Sequence, residues 1–170
     1  NNQNYIKIAN NLKNHAMPIP GIYDHDDYGY NFRMTNIASA IALAQLEGIE
    51  KKLVRKKEIA SLYKNGINSS RFKFFDPESE KNLNSFWMNT ILTESPSETT
   101  NLIKQLKDNS IESRPLFKPV HLMKPYKKFH KSDLKVSEKI DGCGINLPSY
   151  PSLHDDQINF IIKVINDTPN

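Results

Sequence analysis

A chain of 170 residues with net charge +4, 38% hydrophobic and 25% charged, has the composition of one ordinary globular domain, which excludes a disordered or membrane-embedded chain. The most apolar stretch, Ile37 to Ala44, is interrupted by Ser39 and falls far short of the roughly 20 residues that cross a bilayer. A single cysteine, Cys143, rules out an intrachain disulfide and an all-cysteine metal site and fits a reducing, cytoplasmic setting.

The opening Asn1-Asn2-Gln3-Asn4 has no initiator Met, basic region or apolar run, so it reads as a cut end and not as a signal peptide. Asn10 to His15 is expected to finish a short helix, after which Pro18, Pro20 and Gly21 force a loop. That loop continues through an aromatic and acidic stretch to Thr35-Asn36, and either residue suits a helix N-cap. From Ile37 to Lys64 the apolar Ala42, Leu46, Ile49, Leu53, Ala60 and Tyr63 step by threes and fours, which predicts one long helix ended by Gly66. At about 1.5 Å per residue it spans on the order of 40 Å, more than one small sheet covers. Its alanine-rich first half is therefore expected to leave Ala38, Ile41 and Ala42 to another domain or subunit.

Phe72 to Phe75 reads as a weak strand and Ser85 to Thr93 as a stronger one. Ser95 as N-cap, Pro96 at the first position and Glu98 reaching back form a capping box for a helix buried through Leu102, Ile103 and Leu106. Ile111 to Arg114 is a short strand, and Pro115, Pro119 and Pro125 keep the segment up to Tyr126 out of any sheet centre. Ser132 to Ile140 is a short helix and Gly144 to Leu147 the last strand. Ser152 with Asp155 then caps a terminal helix carrying Ile158, Ile161, Ile162 and Ile165. This order describes an α/β layer structure with a small sheet.

The generic motifs for dinucleotides, P-loop phosphates, serine nucleophiles and zinc are absent, and His15, His25, His121, His130 and His154 are scattered, so no metal site is expected. The basic run Lys51 to Lys57 is interleaved at helical spacing with Glu47, Glu50 and Glu58, which describes a solvated face and argues against a nucleic-acid patch. The loop Tyr28 to Asn36 crowds aromatics, Asn31 and Arg33 before a helix start. Such a cluster suits an anion such as phosphate, or else a loop packed by its own tyrosines. Arg114-Pro115-Leu116-Phe117-Lys118-Pro119-Val120-His121 is a stiff segment with cationic and aromatic tips. It is built either to hold an anionic, ring-bearing ligand or to serve as a structural crossover.

Together, Tyr23-x-His25, Gly29-Tyr30-Asn31-Phe32-Arg33-Met34-Thr35-Asn36, Ala44-Gln45-Leu46-Glu47, Arg114-Pro115 through His121 and Ile145-Asn146-Leu147-Pro148 resemble the DegT/DnrJ/EryC1/StrS family of pyridoxal-phosphate-dependent sugar aminotransferases, from about His15 to the C-terminal helix. The resemblance implies the C-terminal small domain of a fold-type I enzyme. Residues 1–35 would be the tail of the large domain with a cofactor-facing loop, and residues 36–170 the small domain. It further implies a homodimer that moves an amino group from glutamate to a nucleotide-linked 4-keto-6-deoxy sugar for surface polysaccharide or glycan biosynthesis. The cofactor-bearing lysine belongs to a missing N-terminal large domain; neither Lys7 nor Lys13 stands in its context, so the segment is expected to be inactive alone and to carry no general base.

By the same resemblance Asn31 reaches across the dimer to the cofactor phosphate, with Arg33 following in the same loop. Arg114, Phe117, Lys118 and His121 approach the sugar nucleotide, and His25 and Tyr30, which line the cofactor-facing loop, are substrate-binding with them. Phe32 and Phe117 stand where relatives often carry tyrosine or tryptophan, which keeps stacking but removes a hydrogen-bond donor. Gly144 to Tyr150 with the Asn36 to Glu47 helix is most similar to the perosamine-synthase type, acting on GDP-4-keto-6-deoxymannose. The Arg114 to Pro119 block also resembles enzymes acting on UDP-4-keto-6-deoxy-N-acetylhexosamine. A dehydratase of the same family, or a non-catalytic binding or dimerisation module, are the alternatives.

Overall fold

The computed structural model describes residues 2–19, 21–68, 70–76, 83–129 and 132–169, so Pro20 and His130 lie outside the described residues. The chain divides into two compact units, residues 1–49 and 50–170.

The first unit holds two helices, α1 (Gln3–Lys13) and α2 (Asn36–Glu47), with the proline-bounded loop between them. Thr35 is the N-cap of α2, its hydroxyl accepting from the Ala38 amide. The predicted long helix is broken at Gly48, the C-cap of α2, and α3 (Ile49–Gly66) starts afresh. Glycine has the most backbone freedom to lose inside a helix, so a break is cheapest there. No residue of α2 is buried; Ile37, Ile41, Leu43 and Leu46 all face outward, as do Ala38 and Ala42.

The second unit is an α/β layer. Four antiparallel strands, β1 (Lys73–Phe75), β2 (Asn89–Leu92), β3 (Arg114–Pro115) and β4 (Gly144–Leu147), lie in the order β1-β2-β4-β3. Pro115, with no N–H to give, sits on the edge strand as its chemistry requires. Ile91 lies directly across from Ile145, and Asn89 from Leu147. These positions are buried with Leu102 and Leu106 of α4 (Pro96–Asp108), Ile59 and Tyr63 of α3, and Ile158, Ile161, Ile162 and Ile165 of α6 (Asp155–Asn166). α5 is only Lys135–Lys139, shorter than the expected Ser132 to Ile140.

Besides β3, which is only Arg114–Pro115 where Ile111 to Arg114 was expected, two boundaries and one cap contact differ from expectation for local reasons. β2 begins at Asn89, not Ser85, because Phe86 takes a left-handed φ of +48° that no strand can carry. At α4, Ser95 caps the Glu98 amide as expected, but the Glu98 carboxylate accepts from the Glu94 amide at 2.9 Å and pairs with Arg71 at 2.8 Å. The N-cap of α6 is His154 rather than Ser152; the Gln157 side chain accepts from the His154 amide at 3.0 Å. Buried Leu153 before the cap and buried Ile158 in the next turn form the hydrophobic staple that sets this start.

Candidate functional site

In the first unit, the end of α1 and the residues after it run antiparallel to residues 30–32: the Tyr30 amide donates to the Leu12 carbonyl at 2.7 Å, the His15 amide to the Tyr30 carbonyl at 3.0 Å and the Phe32 amide to the Lys13 carbonyl at 3.1 Å. Asn14 and Asn31 form the bridge between the two segments. The approach is so close that a Cβ at Gly29 would fall 2.1 Å from the His15 carbonyl carbon; only glycine fits. His15 and Ala16 turn the chain with left-handed φ angles of 63° and 51°, and Ala16 is fully buried.

This knot orients the loop's functional groups. His25 Nδ1 lies 2.7 Å from the His15 carbonyl oxygen, and Arg33 Nε donates to Asn14 Oδ1 at 2.5 Å. Asn31 Oδ1 accepts from the Arg33 amide at 3.5 Å. Among the described residues neither the terminal guanidinium nitrogens of Arg33 nor the Asn31 amide nitrogen has a protein partner. Tyr30 stacks on Phe32 with ring centroids 5.2 Å apart. A hollow of about 490 Å³ opens here, lined by His15, Met17, Tyr23, His25 and Arg33. A free guanidinium and amide in the loop that leads to α2 are donors with the chemistry a phosphate needs. They fit the phosphate of a cofactor.

The second unit spreads its candidates apart. Arg114 lies on β3 opposite Asn146, pairs with Glu112 at 2.8 Å and lines a hollow of about 780 Å³. Phe117 and Lys118 are exposed and do not line it. His121 is largely enclosed, with Nε2 3.1 Å from Glu138 Oε1. The structure thus brings Asn31, Arg33, His25 and Tyr30 into one loop cluster, whereas Arg114, Phe117, Lys118 and His121 share a segment but not a cavity.

One cluster escaped sequence reasoning. Lys56, read as part of a solvated run, donates to the carbonyls of Ser149 at 2.6 Å and Trp87 at 3.4 Å, and burial lowers its affinity for a proton. The Ser149 hydroxyl also donates to the Trp87 carbonyl, at 2.8 Å, and the Tyr63 hydroxyl to Pro148 at 3.0 Å. The signal was present: Lys56 precedes buried Ile59, Ala60 and Tyr63 by three, four and seven residues, and so shares their helix face.

The model of the DegT/DnrJ/EryC1/StrS aminotransferase family matches residues 1–166. The chain belongs to that family. Among DegT/DnrJ/EryC1/StrS relatives, the GDP-perosamine synthase of Escherichia coli O157:H7 is 42% identical over 157 residues, 92% of this chain and 42% of that protein. The GDP-perosamine synthase of Vibrio cholerae is 36% identical, with 91% and 42% covered. Among solved structures, Helicobacter pylori PseC, an aminotransferase involved in the biosynthesis of pseudoaminic acid, superposes with a TM-score of 0.84 at 21% identity, over 99% of this chain and 47% of its own. A DegT DnrJ EryC1 StrS aminotransferase from Brucella abortus does so with a TM-score of 0.79 at 25% identity, over 97% and 43%. The chain therefore spans less than half the length of the family members it matches, and within that share it has their α/β fold.

Proposed function

We propose that this chain is the C-terminal part of a pyridoxal-phosphate-dependent aminotransferase that converts a nucleotide-linked 4-keto-6-deoxy sugar to the 4-amino sugar, with glutamate as amino donor. Residues 1–35 are the end of the large domain with its cofactor-facing loop, and residues 36–170 the small domain. The observation that carries the reading is the loop cluster: Gly29 lets residues 29–32 close on His15, and Asn31 and Arg33 are left with unpaired donors in the loop that leads to α2. Its likeness to the GDP-perosamine synthases supports a GDP-linked substrate.

Bound pyridoxal phosphate supplies the electron sink through which an amino group can pass. Asn31 and Arg33 donate hydrogen bonds to its phosphate in the neighbouring copy of a homodimer. His25 and Tyr30 shape the wall beside them, and Arg114, Phe117, Lys118 and His121 approach the sugar nucleotide. The enzyme works in the cytoplasm.

Incubation of the full-length protein with pyridoxal phosphate, glutamate and GDP-4-keto-6-deoxymannose, read by mass spectrometry, tests this. The expected product is the GDP-linked 4-amino sugar with one 2-oxoglutarate per turnover. Loss of a sugar hydroxyl with no nitrogen gained would mark the dehydratase instead, and no product from GDP-, UDP- or dTDP-linked keto sugars would remove the proposal.

A further inference from the structure

Positive charge is not spread evenly along the chain. Residues 115–132 hold five lysines and no Asp, Glu or Arg, whereas the whole chain nets only +4, so everything outside that stretch is slightly acidic. As far as Phe129 the stretch is a folded platform, in which two short helical turns, Val120–Leu122 and Lys127–Phe129, pack on one another. The Met123 carbonyl joins them, accepting from the Tyr126 amide at 2.9 Å and the Lys127 amide at 3.2 Å, and Pro119 and Pro125 stiffen the backbone. Leu122 and Met123 are half-buried, and His121 meets Glu138 of α5 at 3.1 Å, which ties the platform to the second unit.

Its exposed side chains have a different make-up. Lys124, Lys127 and Lys128 all reach solvent, and among the described residues none of the three meets a carboxylate. Between them stand apolar groups left in water: Val120 is 58%, Tyr126 47% and Phe129 65% exposed, and Lys128 Nζ lies 5.0 Å from the centre of the Phe129 ring. Apolar surface held out this way forgoes its burial, and unpaired like charges beside it repel one another. A surface that is anionic outside and apolar just beneath relieves both costs together.

We infer that residues 120–129 dock the protein on the surface of an anionic phospholipid bilayer, with Lys124, Lys127 and Lys128 among the headgroups and Val120, Tyr126 and Phe129 at the acyl boundary. A lysine stem is apolar, so its ammonium stays at headgroup level while a neighbouring ring sinks deeper. The all-lysine composition favours lipid over other polyanions. Nucleic acid and protein partners are gripped preferentially by arginine, whose planar fork pairs with phosphate or carboxylate at two points, whereas point charges suit the diffuse negative potential of a leaflet. The contact is with the surface alone, since no helix among the described residues is long and apolar enough to cross a membrane. Phe117, Lys118 and His121 are not part of the patch, so docking and the proposed sugar-nucleotide contacts use different side chains.

Co-sedimentation of the full-length protein, with the 170-residue chain in parallel, tests this on vesicles of phosphatidylglycerol and phosphatidylethanolamine against vesicles of phosphatidylcholine alone. Both proteins are expected to sediment with the first and not with the second, and to be released as salt is raised. One lysine near such a surface is worth about fivefold in binding, so Lys127→Glu combined with Lys128→Glu should weaken it about tenfold or more. Tyr126→Ser combined with Phe129→Ser should weaken it as well and keep the salt dependence, because neither side chain is charged. All four positions are exposed, and an unchanged urea midpoint in each variant separates lost docking from lost folding. Equal sedimentation with phosphatidylcholine, or wild-type affinity in either double variant, would overturn the inference. So would binding by the 170-residue chain but not by the full-length protein, which would show that the rest of the protein covers the patch. Salt-sensitive binding of a single-stranded oligonucleotide with no binding to vesicles would overturn it too, and assign the lysines to nucleic acid.

Discussion

On the proposed function, Asn31 and Arg114 put two kinds of anion recognition, one by a neutral amide and one by a guanidinium, into different units of the chain. Asn31 lies in the loop before α2 with its amide nitrogen unpaired, and a lost hydrogen bond to a phosphate costs roughly 1.5–3 kcal/mol; Arg114 lies on an edge strand beside the aromatic hollow. In the full-length enzyme Asn31→Ala should therefore weaken cofactor retention more than sugar-nucleotide binding, and Arg114→Ala the reverse, read as cofactor Kd against KM. Mixed dimers of Asn31→Ala with a variant lacking the cofactor-bearing lysine should regain activity; heterodimers as dead as either parent would return Asn31 to a purely local role. Asn89 is a different case, fully buried with neither its amide nitrogen nor its oxygen hydrogen-bonded. Since an unsatisfied buried amide costs roughly 1–3 kcal/mol, Asn89→Leu, of similar volume, should raise the urea midpoint. A lowered midpoint would show that the amide holds a buried water. Tyr63 predicts a pH dependence. Burial first, and the charge of Tyr150 second, hold its phenol well above the ordinary tyrosine range, so the unfolded chain releases this proton above about pH 10 while the fold retains it. Its contribution is complete below that pH and is lost as pH rises beyond it. Lys56, whose pKa burial lowers, has the opposite slope, finished by about pH 10.4. Urea unfolding at pH 9 and pH 11 should show a steeper fall for wild type than for Tyr63→Phe.

At the scale of elements, Arg71 ties three pieces of chain that are remote in sequence. Its guanidinium meets Glu98 in the first turn of α4 at 2.8 Å and the carbonyls of Thr168 and Pro169 after α6. Both side chains of the ion pair are less than one-fifth exposed, which places it between surface pairs worth about 0–1 kcal/mol and buried pairs whose disruption costs about 3–5 kcal/mol. Arg71→Met is expected to cost roughly 2–3 kcal/mol in urea unfolding, with an unchanged slope because the surface exposed on unfolding stays the same. A loss below about 0.5 kcal/mol would show that α4 and the C-terminal residues are held by their apolar contacts alone.

Over the whole molecule, apolar burial is unequal between the units. Ala16 is the only buried hydrophobic residue described in residues 1–49, where Tyr5, Ile8, Phe32, Ile37, Ile41 and Leu46 are exposed, whereas the second unit encloses a continuous core running from Ile59 to Ile165. Backbone amides are protected in proportion to the packing that must open to free them. In hydrogen exchange on this chain, α2 should lose its protons at rates near those of an isolated helix, and β4, buried at each of its four positions, should exchange last. In the full-length protein α2 should become protected, because a helix apolar on all its faces is stable only when covered. Slow exchange of α2 in the 170-residue chain would contradict this.

Much of the fold was legible in the sequence because it follows from local chemistry. The isoleucine stripe of α6, the Ser95 cap with Pro96, the edge position of Pro115 and the buried run Gly144 to Leu147 each rest on residues within a few positions of one another. The crowding of Asn31 and Arg33 before a helix start was legible for the same reason. The break at Gly48 was not, because periodicity on either side is continuous and only the three-dimensional path decides whether a glycine bends. Nor could spacing reveal that residues 12–16 close on 29–32, that His121 is met by Glu138, or that Lys56 reaches carbonyls at positions 87 and 149. Those hydrogen-bonded pairings join residues from 15 to 93 positions apart, and the sequence by itself determined only which groups were available. The tertiary structure decided which of them meet, because the fold places hydrogen bonds wherever distant backbone and side-chain groups would otherwise lose their water unpaired.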